Sequence, residues 1–435
     1  MQEIDCLLKT LFPINRSITG KGNEKTLEIL KGVCPIEIKS FDSGETVYDW
    51  KVPSEWNVNS AWIEDENGNK IVDFKENNVH LVGYSEPIDK VLTFEELDSH
   101  LHYLKDKRNA IPYRTSYYKR NWGFCLSYEQ YASLDRTKKY RVKIDSEFND
   151  SGKMVYGEAY KKGNSEKEIL ISSYICHPSL ANDNLSGVVL SCLLFKHIMN
   201  LETEYSYRLV LIPETIGSIA WLKKNKVENI IGGFIPTCVA GPDKIGYKPT
   251  FLENHEIDLA AQFALKEIDC IEYKFEPIGS DERQYSSPAF RLPMASITKS
   301  KYYEYDEYHT SLDNLEFISA ENLNKTLEVY KKAIYYLEHN KVYHRKFNEC
   351  EFMLSKIKNL YPTIGGTICQ PSMTKNHKEH EYTEEIKGNI FDCFSWLMHC
   401  VDGETSLFEI QKKSNLLIDD LIIASKVLFD GGLLK

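Results

Sequence analysis

Residues 168–187 have the sequence EILISSYICHPSLANDNLSG, in which a short apolar run passes into a polar segment. The run Glu168–Ile175 is typical of a buried strand. Apolar residues then recur at helical spacing from Leu185 to Met199. The stretch therefore predicts a buried strand that leads, through a loop containing His177 and Asp183, into a helix.

The same alternation continues towards the carboxyl end of the chain. Tyr207–Ile212 predicts a second buried strand, Ile216–Lys224 predicts a helix, and Gly233–Ala240 predicts a third strand. Alternating strands and helices favour an α/β layer with a mixed, mostly parallel sheet flanked by helices. Ligands of such sheets bind beyond the carboxyl ends of the strands, so the polar residues found there are the candidate site residues.

The segment 45–119 has a different character and predicts a small β-rich insert. Asn67-Gly68 is a tight-turn signal between two of its runs, and Leu92–Leu101 predicts a short helix. Asn23–Leu30 predicts another helix ahead of the insert. Three runs in the insert predict strands: Thr46–Pro53, Ser60–Glu64 and Lys70–Phe74.

The pattern breaks after about residue 345. Tyr361–Thr367 predicts a loop, and Thr374–Lys387 is polar without a period. Three short helical patterns follow and precede a Gly-Gly pair, which predicts a separate winged-helix-like module over residues 350–435: Ile390–Met398, Ser406–Lys412 and Ile418–Phe429. Residues 1–44 and 120–345 then form the main α/β domain.

Composition limits the kind of protein this is. The 435 residues suggest two to four domains, and 42% hydrophobic residues are enough for globular cores. A formal net charge of -11 argues against nucleic-acid and anionic-membrane partners. The segment Met1–Cys6 has no signal-peptide pattern, and no run reaches the roughly 20 apolar residues that a membrane span needs. The 11 cysteines contain no Cys-x-x-Cys pair. Together these features predict a cytoplasmic protein with reduced thiols.

Polar residues follow each predicted strand. His177 and Asp183 offer an imidazole and a carboxylate, which are zinc donors at about 2.0–2.2 Å, although Asp183 alone fits a helix N-cap equally well. Glu214 follows the second strand, where its burial is costly unless it is paired or metal-bound; the alternative is a first-turn Glu favoured by the helix dipole. Two more polar clusters come later: Gly279–Gln284, with Asp281, Glu282 and Arg283, and Glu307–Asn314, with Tyr308 and His309.

The order of these motifs resembles that of the zinc aminopeptidase superfamily, which includes bacterial leucyl aminopeptidases and glutaminyl cyclases. The sequence resembles more closely a bacterial group whose members are described as polysaccharide biosynthesis proteins with an aminopeptidase-like domain. The resemblance covers essentially the whole chain. The stretches that carry it are Ile175–Gly187, Gly279–Tyr285, Glu307–Thr310, Asp49–Pro53 and Ser116–Lys119.

The resemblance implies a zinc site. His177 and His309 match the superfamily's metal histidines, and Asp183 matches the carboxylate that bridges two metals in two-zinc members. Glu214 matches a general base. A second Glu, a metal ligand in relatives, is Thr215 here, and no Asp ends the third predicted strand. Two questions therefore stay open: whether the site holds one zinc ion or two, and whether Glu214 is a metal ligand or the general base.

The implied function is a metal-dependent hydrolase that cleaves an N-terminal peptide bond or a related amide by metal-activated water, with Glu214 as general base. The expected substrate is a small peptide or amide, including an amide of an amino sugar. Asp281 or Glu282 would hold its α-amino group, Arg283 would fix a carboxylate or else form a surface ion pair, and Tyr308 would contact it. The alternative is a degenerate, non-catalytic fold that binds or assembles components of surface-polysaccharide synthesis. The C-terminal module leaves a protein contact or a homo-oligomer open.

Overall fold

The structure is a computed structural model that describes residues 1–356 and 390–435. It divides into two compact units, Met1–Lys332 and Ala333–Lys435. The predicted loop Tyr361–Thr367 and the polar stretch Thr374–Lys387 lie outside the described residues.

The helices of the described residues mostly carry one buried face. Short 3₁₀ turns occur at Asn78–His80 and Leu354–Lys356, and the segment Ala181–Ser186 is irregular, with non-helical dihedral angles at Asp183 and Asn184. The α-helices are α1 (Gln2–Leu11), α2 (Lys21–Leu30), α3 (Phe94–Asp98), α4 (Tyr128–Ser133), α5 (Gly187–Met199), α6 (Ile216–Lys224), α7 (Glu256–Leu265), α8 (Glu282–Tyr285), α9 (Ala320–His339), α10 (Ile390–Cys400), α11 (Leu407–Ser414) and α12 (Ile418–Asp430).

The strands found in residues 1–356 and 390–435 all lie in the first unit. They are β1 (Glu37–Asp42), β2 (Thr46–Val47), β3 (Trp50–Lys51), β4 (Glu55–Glu64), β5 (Lys70–Asp73), β6 (Ile88–Thr93), β7 (Leu101–His102), β8 (Phe124–Cys125), β9 (Lys139–Asn149), β10 (Lys153–Lys161), β11 (Glu168–Tyr174), β12 (Ser206–Ile212), β13 (Ile230–Phe234), β14 (Ile245–Lys248), β15 (Cys270–Glu272) and β16 (Met294–Lys299).

The main sheet has eight strands in the order β1-β10-β12-β11-β13-β16-β14-β15. The four central strands, β12, β11, β13 and β16, run parallel, and antiparallel pairs extend the sheet on both sides. Every residue of β11 is buried, because helices cover the centre of such a sheet on both faces. The predicted α/β class with a large mixed sheet flanked by helices is confirmed.

A smaller antiparallel sheet has the order β5-β4-β9-β6. The predicted turn joins β4 to β5, and Gly68 takes a φ of 81° there. This positive φ is open to glycine at no steric cost. The sheet also includes β9, Lys139–Asn149, which lies outside the segment 45–119.

Two predicted elements differ from the structure. The third strand of the central set is Ile230–Phe234, so it ends well before Ala240; Pro236 has no N–H to continue a ladder. The helix predicted over Leu92–Leu101 begins only at Phe94, because Thr93 ends β6 and caps the helix by accepting the N–H of Glu96.

The second unit contains α10, α11 and α12, which match the three helical patterns read from the sequence. Their core includes Phe394, Leu397, Leu421 and Leu428. The winged-helix-like character of this unit stays a prediction. None of the helices in residues 1–356 and 390–435 combines the length and the apolar character that crossing a bilayer requires.

Candidate metal centre

Three parallel strands end side by side and position the candidate residues. His177 follows β11, Glu214 follows β12, and Thr237 follows β13. Because the carboxyl ends of parallel strands open on the same edge of the sheet, loops that are distant in sequence meet there. The loop that carries His309 reaches the same edge.

His177, Asp183 and His309 converge at this edge. One donor atom of each lies within 4.8 Å of the other two. Asp183 Oδ2 lies 2.9 Å from His309 Nε2 and 3.7 Å from His177 Nε2. Two donors of a tetrahedral zinc ion, each at about 2.0–2.1 Å, lie about 3.3 Å apart. The two observed distances bracket this value.

The protonation states of these residues also fit a metal. Burial lowers the pKa of His177 to about 4, so its imidazole is neutral at pH 7. Burial opposes ionisation of Asp183, but both histidines and Tyr174 outweigh it and lower the pKa of Asp183 to about 2. Asp183 Oδ2 and His309 Nε2 are both buried without a hydrogen-bond partner of acceptable geometry. Since buried polar atoms are rarely left unpaired, the two atoms suit a shared cation.

The carboxylate and the backbone of Asp183 are both fixed. Tyr174 donates its hydroxyl hydrogen to Asp183 Oδ1 at 2.5 Å. The carboxylate of Asp313 accepts the N–H groups of Asn182 at 2.6 Å and of Asp183 at 3.0 Å. Tyr305 donates to the same carboxylate at 2.9 Å. These contacts leave Oδ2 of Asp183 directed at the histidines.

A buried arginine holds the turn that presents His177. The Arg16 guanidinium donates to the carbonyl oxygens of His177 at 2.9 Å, Pro178 at 3.0 Å and Leu11 at 2.7 Å. Burial lowers the pKa of Arg16 to about 10. The guanidinium thereby ties the end of α1 to the loop after β11.

His309 lies in a strained backbone conformation between two tyrosine rings. Its φ is 53°, which is uncommon for a residue with a Cβ and is found often at functional sites. Tyr308 stacks on the His309 ring with centroids 4.0 Å apart and an interplanar angle of 13°. The Tyr113 ring is perpendicular to the His309 ring, with centroids 5.2 Å apart, and the Tyr113 N–H donates to the His309 carbonyl at 2.8 Å.

Glu214 lies beside the three-residue cluster rather than within it. Its carboxylate, Cys176 Sγ and a His177 ring nitrogen are all within 4.8 Å of one another. Burial, together with the charges of Asp281 and Asp183, raises the pKa of Glu214 well above its usual value. A half-buried carboxylate of raised pKa is suited to accept a proton near neutral pH.

Asp281 organises the turn that carries Glu214. Asp281 Oδ1 accepts the N–H of Thr215 at 2.8 Å and the hydroxyl of Ser218 at 3.0 Å. Thr215 takes a positive φ of 63°, so this turn is strained and needs such support. Burial raises the pKa of Asp281 to about 6, although the same two hydrogen bonds oppose the shift.

Glu282 and Arg283 occupy different surroundings. Glu282 forms a buried ion pair with Lys248 and accepts the Tyr302 hydroxyl at 3.1 Å, so the structure brings it to Lys248 rather than to Asp183. Arg283 is exposed and donates to Thr215 Oγ1 at 3.2 Å.

Thr215 follows Glu214, and Thr237 and Cys238 follow β13; none of the three carries a carboxylate. Thr215 Oγ1 accepts from Arg283, and the Thr237 hydroxyl donates to Tyr174 Oη at 2.6 Å, because Tyr174 donates its own hydrogen to Asp183. The thiol of Cys238 lies 3.9 Å from Asp183 Oδ1, and burial raises its pKa well above the usual value. The described residues offer two groups of three donors that could each hold a metal ion, His177 with Asp183 and His309, and His177 with Cys176 and Glu214.

Sequence reasoning did not assign four residues of this site. Asp313 stands in a motif that was singled out, and Tyr174 is a polar aromatic at the end of an apolar strand, so both had a signal. Arg16 and Tyr113 had none, because their roles depend on contacts across more than 100 residues.

The fold and site define an α/β protein of the aminopeptidase-like class. The structure superposes on a zinc aminopeptidase from Bacillus subtilis with a TM-score of 0.57, over 77% of this chain and 93% of that one, at 12% identity. At that identity the likeness shows the fold, and it confirms the aminopeptidase-like fold expected from the motifs.

The chain belongs to the family described as a domain of unknown function (DUF4910), which matches residues 6–340. A protein of Clostridium acetobutylicum is 41% identical over 439 aligned residues, covering 100% of this chain and 96% of that protein; its provisional name is polysaccharide biosynthesis protein with aminopeptidase-like domain. A crystal structure from Clostridium acetobutylicum, described provisionally as a peptidase, is 39% identical, has a TM-score of 0.89 and covers 100% of this chain and 96% of that one.

Proposed function

We propose that this protein is a zinc-dependent hydrolase that cleaves an N-terminal peptide bond or a related amide. The observation that carries the proposal is the convergence of His177, Asp183 and His309, in which the buried atoms Asp183 Oδ2 and His309 Nε2 lack a well-formed hydrogen bond. Three protein donors with an open fourth position are the arrangement of catalytic zinc sites.

The roles of the side chains follow from their placement. When bound, a zinc ion would supply a water of lowered pKa and polarise the scissile carbonyl. Glu214, beside the three-residue cluster, would accept a proton from the attacking water at its carboxylate and pass it to the leaving amine. Asp281 positions Glu214 through Thr215, and Tyr308 and Tyr113 wall the site around His309. Arg283 is exposed and donates to Thr215, the residue that follows Glu214.

The name of the Clostridium acetobutylicum relative supports one substrate setting. That name joins polysaccharide biosynthesis to an aminopeptidase-like domain. An amide between an aminoacyl group and an amino sugar would fit both parts of that name, because it contains a sugar and the same kind of bond that an aminopeptidase cleaves. We therefore include aminoacyl amino sugars with short peptides in the substrate class.

A second function is favoured by one observation. Thr215, Thr237 and Cys238 provide no carboxylate where two-zinc relatives have one. A domain with a reduced ligand set would bind an aminoacyl or saccharide ligand without cleaving it, in support of polysaccharide assembly.

Metal content tests the site. We expect the wild type to hold close to one zinc ion per chain after dialysis, and His309→Ala to lose it, because one of three donors is gone. His197→Ala, which removes a half-buried histidine from α5 away from the site, is the matched control and should keep its zinc. Equal zinc in all three proteins would exclude the cluster as the metal site.

Glu214→Gln separates proton transfer from metal binding. If Glu214 is the base, the variant should keep its zinc and lose at least about 10²-fold in turnover of an aminoacyl substrate. Loss of zinc together with activity would instead make Glu214 a ligand. Unchanged zinc and turnover would remove Glu214 from the mechanism, and zinc binding without turnover of any aminoacyl substrate by the wild type would favour the binding function.

A further inference from the structure

A pocket of about 450 Å³ opens in the β-rich part of the first unit. This volume is within the range of small-molecule sites, about 300–1,000 Å³. Its walls include residues of two motifs that the family resemblance singled out, Asp49–Pro53 and Ser116–Lys119, to which the proposed function gives no role.

The pocket has an exposed aromatic wall. Tyr117 is 41% exposed and Tyr118 is 54% exposed. The Trp50 ring stands edge-on to Tyr118, with centroids 6.2 Å apart, and the Tyr118 hydroxyl donates to the Lys51 carbonyl at 2.9 Å. Exposed aromatic rings held together in this way form a surface on which a sugar ring or a planar amide can stack.

The charges of the pocket select an anion. The Arg120 guanidinium lies 3.6 Å from the centroid of Phe148, which leaves its N–H edges open, and Lys51 is also exposed. Across residues 1–356 and 390–435, no carboxylate lies within 4.0 Å of the charged nitrogens of either cation. The one acid in the wall, Asp150, accepts the Ser54 hydroxyl at 2.5 Å. A guanidinium with a free edge suits a carboxylate, which it can bind through two hydrogen bonds.

The pocket and the metal centre share one wall segment. Tyr113 lies 5.4 Å from the His177 ring, and Tyr117, four residues later, lines the pocket. Four residues span at most about 14 Å of extended chain. Tyr113 and Tyr117 also line one small cavity together with Pro178, the residue that follows His177.

We propose that this pocket binds the carboxylate-bearing end of the substrate, on the leaving-amine side of the scissile amide. The proposal rests on the proposed hydrolase function for the identity of the scissile bond. The carboxylate has two sources with the same chemistry, the C-terminus of a short peptide or a uronic acid ring. In both, a flat or apolar face stacks on the tyrosines while Arg120 and Lys51 hold the charge.

Calorimetric titration of the full chain tests the pocket without requiring turnover. The probes are N-acetyl-glycylglycine and glucuronate, each compared with its uncharged amide. We expect a carboxylate probe to bind at least about tenfold more tightly than its amide, and Arg120→Gln to remove about tenfold in affinity. The tighter of the two carboxylates identifies the source.

Arg136→Gln is the matched control, because Arg136 is likewise exposed and stacked, 5.1 Å from the Phe94 ring, away from the pocket. It should bind the probes like the wild type. The proposal is overturned if neither carboxylate binds, if acid and amide bind equally, or if both arginine variants weaken binding alike. The two proposals can also fail separately. If Arg120→Gln loses carboxylate binding but the wild type cleaves no aminoacyl substrate, the pocket is confirmed as a carboxylate site and the hydrolase function is rejected.

Discussion

The carboxylate of Asp313 accepts hydrogen bonds from two consecutive backbone N–H groups, those of Asn182 and Asp183. The side chain of Asp183 can face both histidines only while this backbone stays in place. In the proposed zinc site Asp313 would orient the ligand Asp183, and changing a residue with such a role typically costs about 10–100-fold in metal affinity.

Asp313→Asn should therefore weaken zinc binding by about 10–100-fold, because an amide offers one acceptor oxygen where the carboxylate offers two. Competition with a chromophoric chelator measures the affinity. Asp306→Asn, which changes an exposed carboxylate of the same loop, should leave the affinity unchanged. An Asp313→Asn protein with wild-type affinity would show that the backbone of Asp183 holds its position without this carboxylate.

Among the secondary-structure elements, one buried carboxylate connects three strands and a helix. Glu158 on β10 accepts from Lys39 on β1 and Arg208 on β12, each at 2.8 Å, and from Trp221 Nε1 on α6 at 2.9 Å. Burial opposes its ionisation, but these three donors together lower the pKa of Glu158 below its usual value.

Glu158→Gln should cost about 1–3 kcal/mol of unfolding free energy at pH 7, since the charge-assisted bonds are lost. Because the folded pKa is lower than the unfolded pKa of about 4.3, the contribution of Glu158 is present above that pH and is lost as the pH falls through the folded pKa. The difference in unfolding free energy between wild type and Glu158→Gln, measured by urea unfolding, should thus become smaller below about pH 4.

The exposed pair Lys162–Glu166 supplies the control for this measurement. Glu166→Gln should change the unfolding free energy by less than about 1 kcal/mol, because solvent screens the pair. Parallel pH curves for wild type and Glu158→Gln would mean that Glu158 has the same pKa in both states.

Local patterns predicted the central elements well. The apolar runs before His177 and Glu214 formed adjacent parallel strands, since a continuous apolar run can be buried on both faces of a sheet. The patterns failed where a single residue decides a boundary: Thr93 caps α3, and Pro236 follows the early end of β13. These effects depend on capping hydrogen bonds and strand partners, which periodicity does not contain.

The candidate site was predictable only in part for a related reason. His177, Asp183 and Glu214 each follow an apolar strand, so their placement at one edge followed from the sheet. The contacts of Arg16 and Tyr113 join residues 161 and 196 positions apart, to His177 and His309 respectively, and no local pattern records them.

For the molecule as a whole, charge makes a prediction about partners. The net charge is -11, and in the C-terminal module the basic residues Lys412, Lys413 and Lys426 are balanced by nearby acids. We expect the full chain to show no salt-dependent binding to double-stranded DNA, measured by fluorescence anisotropy at 50 and 200 mM salt. Affinity that falls steeply between those concentrations would assign the module a nucleic-acid role instead.

The hydrogen bond from Asp183 to Asp313 spans 130 residues, which has a consequence for how the protein is made. A ribosome that adds about 5–20 residues per second reaches Asp313 roughly 6–26 s after Asp183. Throughout that interval the loop that carries Asp183 lacks the carboxylate of Asp313, and His309 is added only four residues before Asp313. We therefore expect the proposed zinc site to form only after synthesis has passed this point, so that a nearly finished chain would capture the metal.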